Sequence, residues 1–207
     1  MNYDFVEIGT SDFDTLIESA DDNTIGLSIE PLNIYLDKLP NRSNVTKVCA
    51  AVSPFGSNED IDIYYVPPEI IEQNNYHDWL RGCNRVGEVH PHLINHPSIE
   101  DDLTRHVKCD KVKQITVPKL YAEYNITGIK FLKIDTEGFD CHILQQWLLF
   151  LKDKDKSYYP KKIMFETNNQ THLQFVYQTI EDYMNIGYQI ESFVYDNSAG
   201  NTILILK

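Results

Sequence analysis

The chain lacks a long hydrophobic run, an excess of basic residues and any closely spaced pair of cysteines. No stretch of its 207 residues is long and apolar enough to span a bilayer. Lys and Arg total 18 against 31 Asp and Glu, and the net charge of -13 disfavours a nucleic-acid backbone or an anionic membrane as a partner. We therefore expect a protein that binds neither nucleic acid nor membrane.

The cysteines and the first residues indicate the compartment. Cys49, Cys83, Cys109 and Cys141 are widely spaced and form no CxxC pair, which favours reduced thiols. The chain begins directly with a predicted strand instead of the apolar core of a secretory signal. We therefore expect a cytoplasmic protein.

Short apolar strands alternate with helical patterns at the start of the chain. This order is typical of half of a doubly wound parallel sheet. A composition that is 42% hydrophobic supports one domain over residues 1–207 with a sizeable core. The predicted elements are strands at 4–9, 24–30 and 44–52 and helices at 13–19 and 32–39.

The middle of the chain breaks this rhythm. A strand is predicted at 60–66, but residues 67–106 have weak periodicity and are interrupted by Gly and by Pro, including Pro97. Long irregular segments in compact domains are usually either functional or disordered, and the aromatic, Arg and His side chains of this one favour function. We therefore predict an inserted, ordered acceptor-binding segment at about 67–106, followed by a strand at 106–117 and a helix at 119–124.

Four side chains of this segment are candidates for substrate binding. The ring of Trp79 could stack on the apolar face of a sugar, and the guanidinium of Arg81 could bind hydroxyls or carboxylates. His90 and His92, in His-Pro-His, could bind the acceptor, and His90 could act as a base. Alternatively, Trp79 packs the loop onto the core and the histidines are exposed. No cysteine lies at ligand spacing, so zinc is not expected.

The last part of the chain contains the most informative stretch, Gly128–Gly138. It is a buried-strand pattern that ends in Asp135 and Glu137, and the next predicted strand ends in Glu166. The other predicted elements are a helix at 139–151, the strand at 161–166, a helix at 171–185 capped by Thr171, and an antiparallel hairpin of strands 188–195 and 201–206 around a turn at 196–200.

Ligands of open α/β sheets bind beyond the carboxyl ends of the strands, which is where these acids lie. Asp135 and Glu166 end strands that we expect to be neighbours, so they could act on an acceptor hydroxyl as base and orienting group. Alternatively, Asp135 or Glu137 could cap the following helix. This role suits Glu137 better, although Glu137 could also contact the acceptor. Two carboxylates could hold Mg²⁺, but so small a ligand set does not predict a metal site.

The first strand and its turn predict a cofactor. Gly9 permits close approach of a ligand to the backbone, and Glu30 at the end of the second strand could accept hydrogen bonds from both hydroxyls of a ribose. A nicotinamide dinucleotide requires GxGxxG, which is missing, and Asp12 would repel its pyrophosphate. S-adenosylmethionine carries positive charge and no phosphate, so Glu7, Asp12 and Asp135 favour it.

Five motifs resemble those of FkbM-type methyltransferases and occur in the same order. The resemblance spans about residues 4–168, and its most specific part is Lys-Ile-Asp-x-Glu-Gly. The motifs are Glu7-Ile-Gly9, Ile29-Glu-Pro31, Ala50-Ala-Val-Ser53, Val112-Lys-Gln-Ile-Thr-Val117 and Phe131-Leu-Lys-Ile-Asp-Thr-Glu-Gly138.

The resemblance implies a class I methyltransferase fold, a Rossmann-like seven-stranded sheet that is mostly parallel with a C-terminal antiparallel hairpin. It also implies an S-adenosylmethionine-dependent O-methyltransferase that acts on a hydroxyl of a sugar or glycan. Carried over by motif, the residues near the cofactor are Glu7, Gly9, Thr10, Ser11 and Asp12 at the methionine part, Glu30 with Pro31 at the ribose, and Ala51 and Ser53 at the adenine.

Two departures from the family keep alternatives open. Phe13 replaces a second glycine beside the cofactor, which favours a non-catalytic binding module. The helices that precede the first strand in such enzymes are missing, which fits one domain of a longer polypeptide. Another small molecule, a nucleic acid or a protein could also be the acceptor, although no Asn/Asp-Pro-Pro-Tyr motif follows the central strand.

Overall fold

The computed structural model describes residues 1–95, 102–196 and 200–207. Pro97 and most of the predicted turn at 196–200 lie outside the described residues. The strands are β1 (Asn2–Ile8), β2 (Gly26–Ile29), β3 (Val45–Val48), β4 (Ala51–Val52), β5 (Ile61–Tyr65), β6 (Arg85–Val86), β7 (Lys108–Val112), β8 (Gln114–Ile115), β9 (Gly128–Ile134), β10 (Lys162–Glu166), β11 (Tyr188–Phe193) and β12 (Asn201–Leu206).

Helices connect most of these strands. Throughout the described ranges, the helices are too short or too polar to cross a bilayer. The α-helices are α1 (Leu16–Ser19), α2 (Asn33–Leu36), α3 (Pro68–Gln73), α4 (Pro91–Ile94), α5 (Val117–Glu123), α6 (Asp140–Leu151) and α7 (Leu173–Asn185), and 3₁₀ helices occur at Asp78–Gly82, Leu103–His106 and Lys156–Tyr158.

A seven-stranded sheet in the order β3-β2-β1-β9-β10-β12-β11 forms the centre of the fold. The strands β3, β2, β1, β9 and β10 run parallel, and β12 runs antiparallel to both β10 and β11. The mainly parallel sheet with an antiparallel hairpin at its end is therefore confirmed. Because β9 lies between β1 and β10, the carboxyl ends of these three strands meet at one edge.

The alternation of side chains along β1 divides the apolar core between the two faces of the sheet. Val6 belongs to a large buried cluster with apolar side chains of α5, α6 and α7, including Trp147. Phe5 belongs to a smaller cluster with Ile17 of α1 and Leu36 of α2. Helices thus cover both faces, which leaves the strand ends as the place for a cavity.

The third predicted strand, at 44–52, is divided in the structure. The amide of Ala50 donates to the carbonyl of Val48 (3.2 Å), and this tight turn carries the chain out of the main sheet. The residues that follow form β4, which pairs with β8 in a separate parallel pair. The expectation of one continuous strand was wrong because periodicity does not report a change of pairing partner.

The segment between β4 and β9 contains more regular structure than its sequence suggests. The strand β5 pairs antiparallel with β6 and β7 in a three-stranded sheet, and the predicted strand at 106–117 is divided between β7 and β8. The described part of 67–106 packs its own buried cluster, which includes Leu80, Cys83 and Leu93. The described part of this segment therefore contains regular helices and a short strand, where the sequence predicted irregular structure.

Two helix starts differ from the prediction. Phe13 lies outside α1, with 39% of its surface exposed, because the helix begins after a Thr15–Glu18 capping box. The cap of α7 is His172, whose Nδ1 accepts the amide of Gln174 (3.3 Å), whereas the hydroxyl of Thr171 donates to the carbonyl of Gly138 (3.3 Å).

Gly9 lies directly against the backbone of Asp135, the residue that follows β9. Its φ is +78°, and a Cβ atom there would lie 1.8 Å from the carbonyl oxygen of Asp135. No side chain can be accommodated at that distance without movement of the backbone. A glycine is therefore required both by the turn and by the neighbouring strand.

Substitution by alanine separates these two requirements. Gly87 also has a φ of +78°, but a Cβ atom there would meet no heavy atom within 4 Å. We expect Gly87→Ala to cost about 1–2 kcal/mol from backbone strain alone. Gly9→Ala should cost at least about 2 kcal/mol more because of the clash. Urea unfolding measures both, and equal losses would show that the contact between the strand ends does not constrain the fold.

Candidate active site

A cavity of about 520 Å³ lies at the carboxyl ends of β1, β2, β9 and β10. Its wall contains residues of the turn after β1, residues of the described part of 67–106, and the acids that follow the central strands. The predicted site residues that line it are Gly9, Thr10, Ser11, Glu30, Pro31, Ala51, Trp79, His92, Asp135, Glu137 and Glu166. The sequence therefore located the edge of the sheet at which the cavity forms.

Glu30 is buried at the end of β2 and is held by two backbone amides. Its Oε2 accepts the amide of Ser11 and its Oε1 that of Leu32, each at 3.0 Å. Burial raises the pKa of Glu30 to about 7, and the two amides only partly offset this. Each oxygen can accept a further hydrogen bond, so the carboxyl can bind two neighbouring hydroxyls of a ligand.

Contacts of Ser11 and Asp12 with other segments hold the turn after β1 in place. Ser11 has a φ of +48°, and its hydroxyl donates to the carbonyl of Arg81 (3.0 Å). The carboxylate of Asp12 lies behind the wall, where it pairs with Arg81 (3.1 Å) and Lys38 (3.2 Å). Arg81 was expected to contact the substrate. Its contacts with Ser11 and Asp12 instead hold the 3₁₀ helix Asp78–Gly82 against the turn after β1.

Two residues carried over to the cofactor also lie behind the wall. The buried carboxylate of Glu7 accepts the amide of Leu16 (2.8 Å) and the ammonium of Lys133 (2.9 Å), its register partner on β9. Ser53 is buried, and its hydroxyl accepts the amide of Ser57 (2.9 Å). The contacts of Glu7 and Ser53 support α1 and the loop after β4.

Three acids converge where β9 and β10 end. Asp135 and Glu166 end adjacent strands, as predicted, and Asp140, which the sequence reasoning missed, lies fully buried beside them. Asp140 accepts the amide and hydroxyl of Thr136 (3.3 and 3.1 Å) and the amide of Glu166 (3.2 Å). Its position in the first turn of α6 was the available signal, since acids there meet unpaired amides.

These acids have strongly different proton affinities. Burial first, and then the neighbouring carboxylates, raise the pKa of Asp135 to about 6 and that of Glu166 to about 10. Burial and Asp135 raise the pKa of Asp140 to about 8. At neutral pH, Asp135 is therefore ionised while Glu166 and Asp140 hold protons. Acids whose pKa values are separated in this way are suited to different roles in proton transfer.

Glu137 pairs with His90 and does not cap α6. Its Oε2 lies 3.0 Å from Nε2 of His90 and accepts a hydrogen bond from Gln170 (2.6 Å). The Nδ1 of His90 accepts the amide of His92 (3.1 Å), so we assign the ring proton to Nε2. Both nitrogens of the buried His90 ring are occupied, which makes it a support for Glu137 and not a free base.

Aromatic rings from the 67–106 segment and from the start of α6 line the cavity. Trp79 lies in the wall, and its ring meets the ring of His92 edge-on at 5.8 Å between centroids. Phe139 contributes to the wall near the start of α6 and contacts the exposed Phe55 (5.8 Å). The lining therefore combines carboxyl groups with aromatic rings, a combination suited to a ligand with cationic and apolar parts.

A mainly parallel α/β sheet with a cavity at the carboxyl ends of its strands is consistent with a methyltransferase-like fold. The family model described as the methyltransferase FkbM domain matches residues 6–192, most of the chain. The chain belongs to the FkbM methyltransferase domain family, as its motifs predicted. Comparisons with curated proteins and with solved structures returned no match.

The raised pKa values of these acids predict how the stability of the fold changes with pH. Their folded pKa values of about 6, 8 and 10 exceed those of unfolded Asp and Glu, so the folded state binds more protons. The resulting stabilisation is complete below about pH 4 and is lost as the pH rises through the folded values. Glu166→Gln should therefore raise the melting temperature at about pH 8 by several degrees. For a chain of this size, each kcal/mol added to the free energy of unfolding raises the melting temperature by about 2–4 °C.

Thermal unfolding between about pH 5 and pH 8 measures this effect, and the slope should be shallower for Glu166→Gln than for the parent. Glu181→Gln, at an exposed position, is the matched control and should follow the parent. Parallel curves for Glu166→Gln and the parent would contradict the raised pKa of Glu166.

Proposed function

We propose that this chain is an S-adenosylmethionine-dependent O-methyltransferase of class I fold that acts on a hydroxyl of a sugar or glycan. The observation that carries the proposal is the buried carboxyl of Glu30, held by two amides beside the glycine turn, in the same cavity as Asp135. Membership of the FkbM family supports methyl transfer in general. The proposal of a carbohydrate acceptor rests on the family resemblance and on the aromatic ring of Trp79 in the cavity wall.

The residues present fit the proposed cofactor. Glu30 would bind the ribose hydroxyls, Ala51 would lie at the adenine, and the turn from Gly9 to Ser11 would surround the methionine part. Asp135 supplies negative charge near the turn, which suits a sulfonium and an ammonium and disfavours a phosphate. When bound, S-adenosylmethionine supplies a methyl group on a positively charged sulfur.

The acids of the cavity can prepare an acceptor hydroxyl, which is a weak nucleophile at neutral pH. Ionised Asp135 would take the proton of the hydroxyl, and protonated Glu166 would donate a hydrogen bond that orients the acceptor. Trp79 would stack on the apolar face of a sugar ring. His90 would act through Glu137, which it holds at the wall. In this scheme the 67–106 segment is the acceptor-binding part of a single domain.

One observation favours the alternative of a non-catalytic binding module. Phe13 lines the cavity at the place where the resemblance leads us to expect a glycine. A ring there narrows the space beside the turn, so binding could persist while methyl transfer is lost. The unpaired cysteines support an intracellular, cytoplasmic setting for either function.

Binding of the cofactor is tested by calorimetry with S-adenosylmethionine. We expect saturable binding that Glu30→Gln weakens about ten- to a hundredfold, because the amide has one accepting oxygen where the carboxyl has two. Glu69→Gln changes an exposed glutamate in the same way and should bind like the parent. The absence of any binding heat, or equal affinities for Glu30→Gln and the parent, would refute the assigned cofactor site.

Methyl transfer is tested with a panel of sugars, glycosides, RNA and peptides. On an accepted sugar, Asp135→Asn should lower kcat by about 10²–10⁴-fold, since proton removal is lost. The kcat/KM of the parent should rise with pH through about 6, where Asp135 ionises, and the variant should lack this rise.

Asp153→Asn, at an exposed position, serves as the control and should retain parental activity. Turnover on RNA or peptides alone would redirect the proposal to another acceptor. Unchanged turnover in Asp135→Asn would remove Asp135 from the mechanism. Cofactor binding without turnover on any acceptor in the panel would favour the binding module.

A further inference from the structure

We propose that Cys83, His90 and His92 form a binding site for a zinc-type divalent transition-metal ion. One ligand atom of each residue lies within 4.8 Å of those of the other two. Thiolate sulfur and imidazole nitrogen are the ligands that Zn²⁺ prefers in proteins. The proposal concerns metal binding itself and does not depend on the proposed methyl transfer.

The three residues come from two turns that pack against each other. Cys83 follows the 3₁₀ helix Asp78–Gly82 and is buried in the apolar cluster of the 67–106 segment. His90 is the buried N-cap of α4, and His92 lies in its first turn. Burial of two of the three side chains limits their rotamers, so much of the entropic cost of assembling a site has already been met during folding.

The hydrogen bonds of His90 orient its ring as metal-binding histidines are commonly oriented. Its Nε2 donates to the carboxylate of Glu137 (3.0 Å), which leaves the lone pair on Nδ1. A carboxylate on the second ring nitrogen fixes the tautomer and raises the basicity of the ligating nitrogen. In the structure Nδ1 accepts the amide of His92 (3.1 Å), and a metal would take the place of that hydrogen bond.

The required rearrangement is small. Tetrahedral zinc at its usual bond lengths separates ligand atoms by roughly 3.3–3.7 Å. Ligand atoms that lie within 4.8 Å of one another must therefore approach by no more than about 1.1–1.5 Å. Both Cys83 and His92 also line the cavity. His90 is fully buried beside them. Three protein ligands leave the fourth position of a tetrahedral ion for water or another ligand, which is the pattern of an open metal site and not of a closed structural one.

Cobalt(II) is the probe, because its spectrum reports both geometry and sulfur ligation. The full chain is treated with a chelator, dialysed and titrated with Co²⁺ under reducing conditions. We expect about one ion per chain, visible ligand-field bands of four-coordinate cobalt and a thiolate-to-cobalt charge-transfer band, with Zn²⁺ displacing the cobalt. Cys109→Ser, at an exposed cysteine, should leave the titration unchanged.

Two variants test the assigned ligands. Cys83→Ser should abolish the charge-transfer band and weaken Co²⁺ binding at least about tenfold. His92→Gln should weaken Co²⁺ binding to a similar degree, and because His92 is only partly buried, this substitution disturbs the fold less. Circular dichroism checks that each variant is folded. If Cys83→Ser does not fold, His92→Gln decides the question.

Absence of the charge-transfer band in the parent, or equal Co²⁺ affinity in the parent and His92→Gln, would overturn the proposal. The second result would assign the bound metal to another place on the chain. Because calorimetry with S-adenosylmethionine is measured separately, failure of the metal site leaves the cofactor site untouched, and the reverse also holds.

Discussion

The close approach of the ends of β1 and β9 is the constraint on which the cavity depends. The amide of Asp135 donates to the carbonyl of Ile8, and the amide of Gly9 donates to that of Ile29, each at 2.9 Å, so three strands end at the same level. Only a glycine at position 9 lets the carbonyl of Asp135 lie so near. The same contact places Ser11 under Glu30 and Asp135 at the cavity, so one backbone approach positions both the proposed cofactor side and the proposed acceptor side.

Burial of acids at this edge is the second determinant of the site. Asp135, Asp140 and Glu166 have lost much of their hydration and repel one another, which keeps protons on two of them at neutral pH. The ligand-free protein is thereby destabilised at alkaline pH, and a cationic ligand would relieve that repulsion. The sign of the cavity's charge thus agrees with the cationic cofactor proposed for it.

The sequence predicted the elements whose signals are local. Apolar runs that end in turn residues located β1, β2, β9 and β10, and the acids at their ends located the cavity. Contacts between distant segments carry no such signal: His90 and Glu137 are 47 positions apart, and β4 leaves the main sheet to pair with β8. Glu137 was therefore expected to serve α6, whereas its carboxylate lies against His90. The pairing of Arg81 with Asp12, across 69 positions, was unpredictable for the same reason.

In the proposed complex, Glu30 binds the ribose of the cofactor and Asp135 lies on the side of its sulfur, where the acceptor must approach. A crystal structure of the complex with S-adenosylhomocysteine tests this arrangement most directly. We expect both oxygens of Glu30 within hydrogen-bond distance of the ribose hydroxyls, with the sulfur directed toward the side of the cavity that holds Asp135. Binding of the ligand outside this cavity, or with its ribose away from Glu30, would contradict the account.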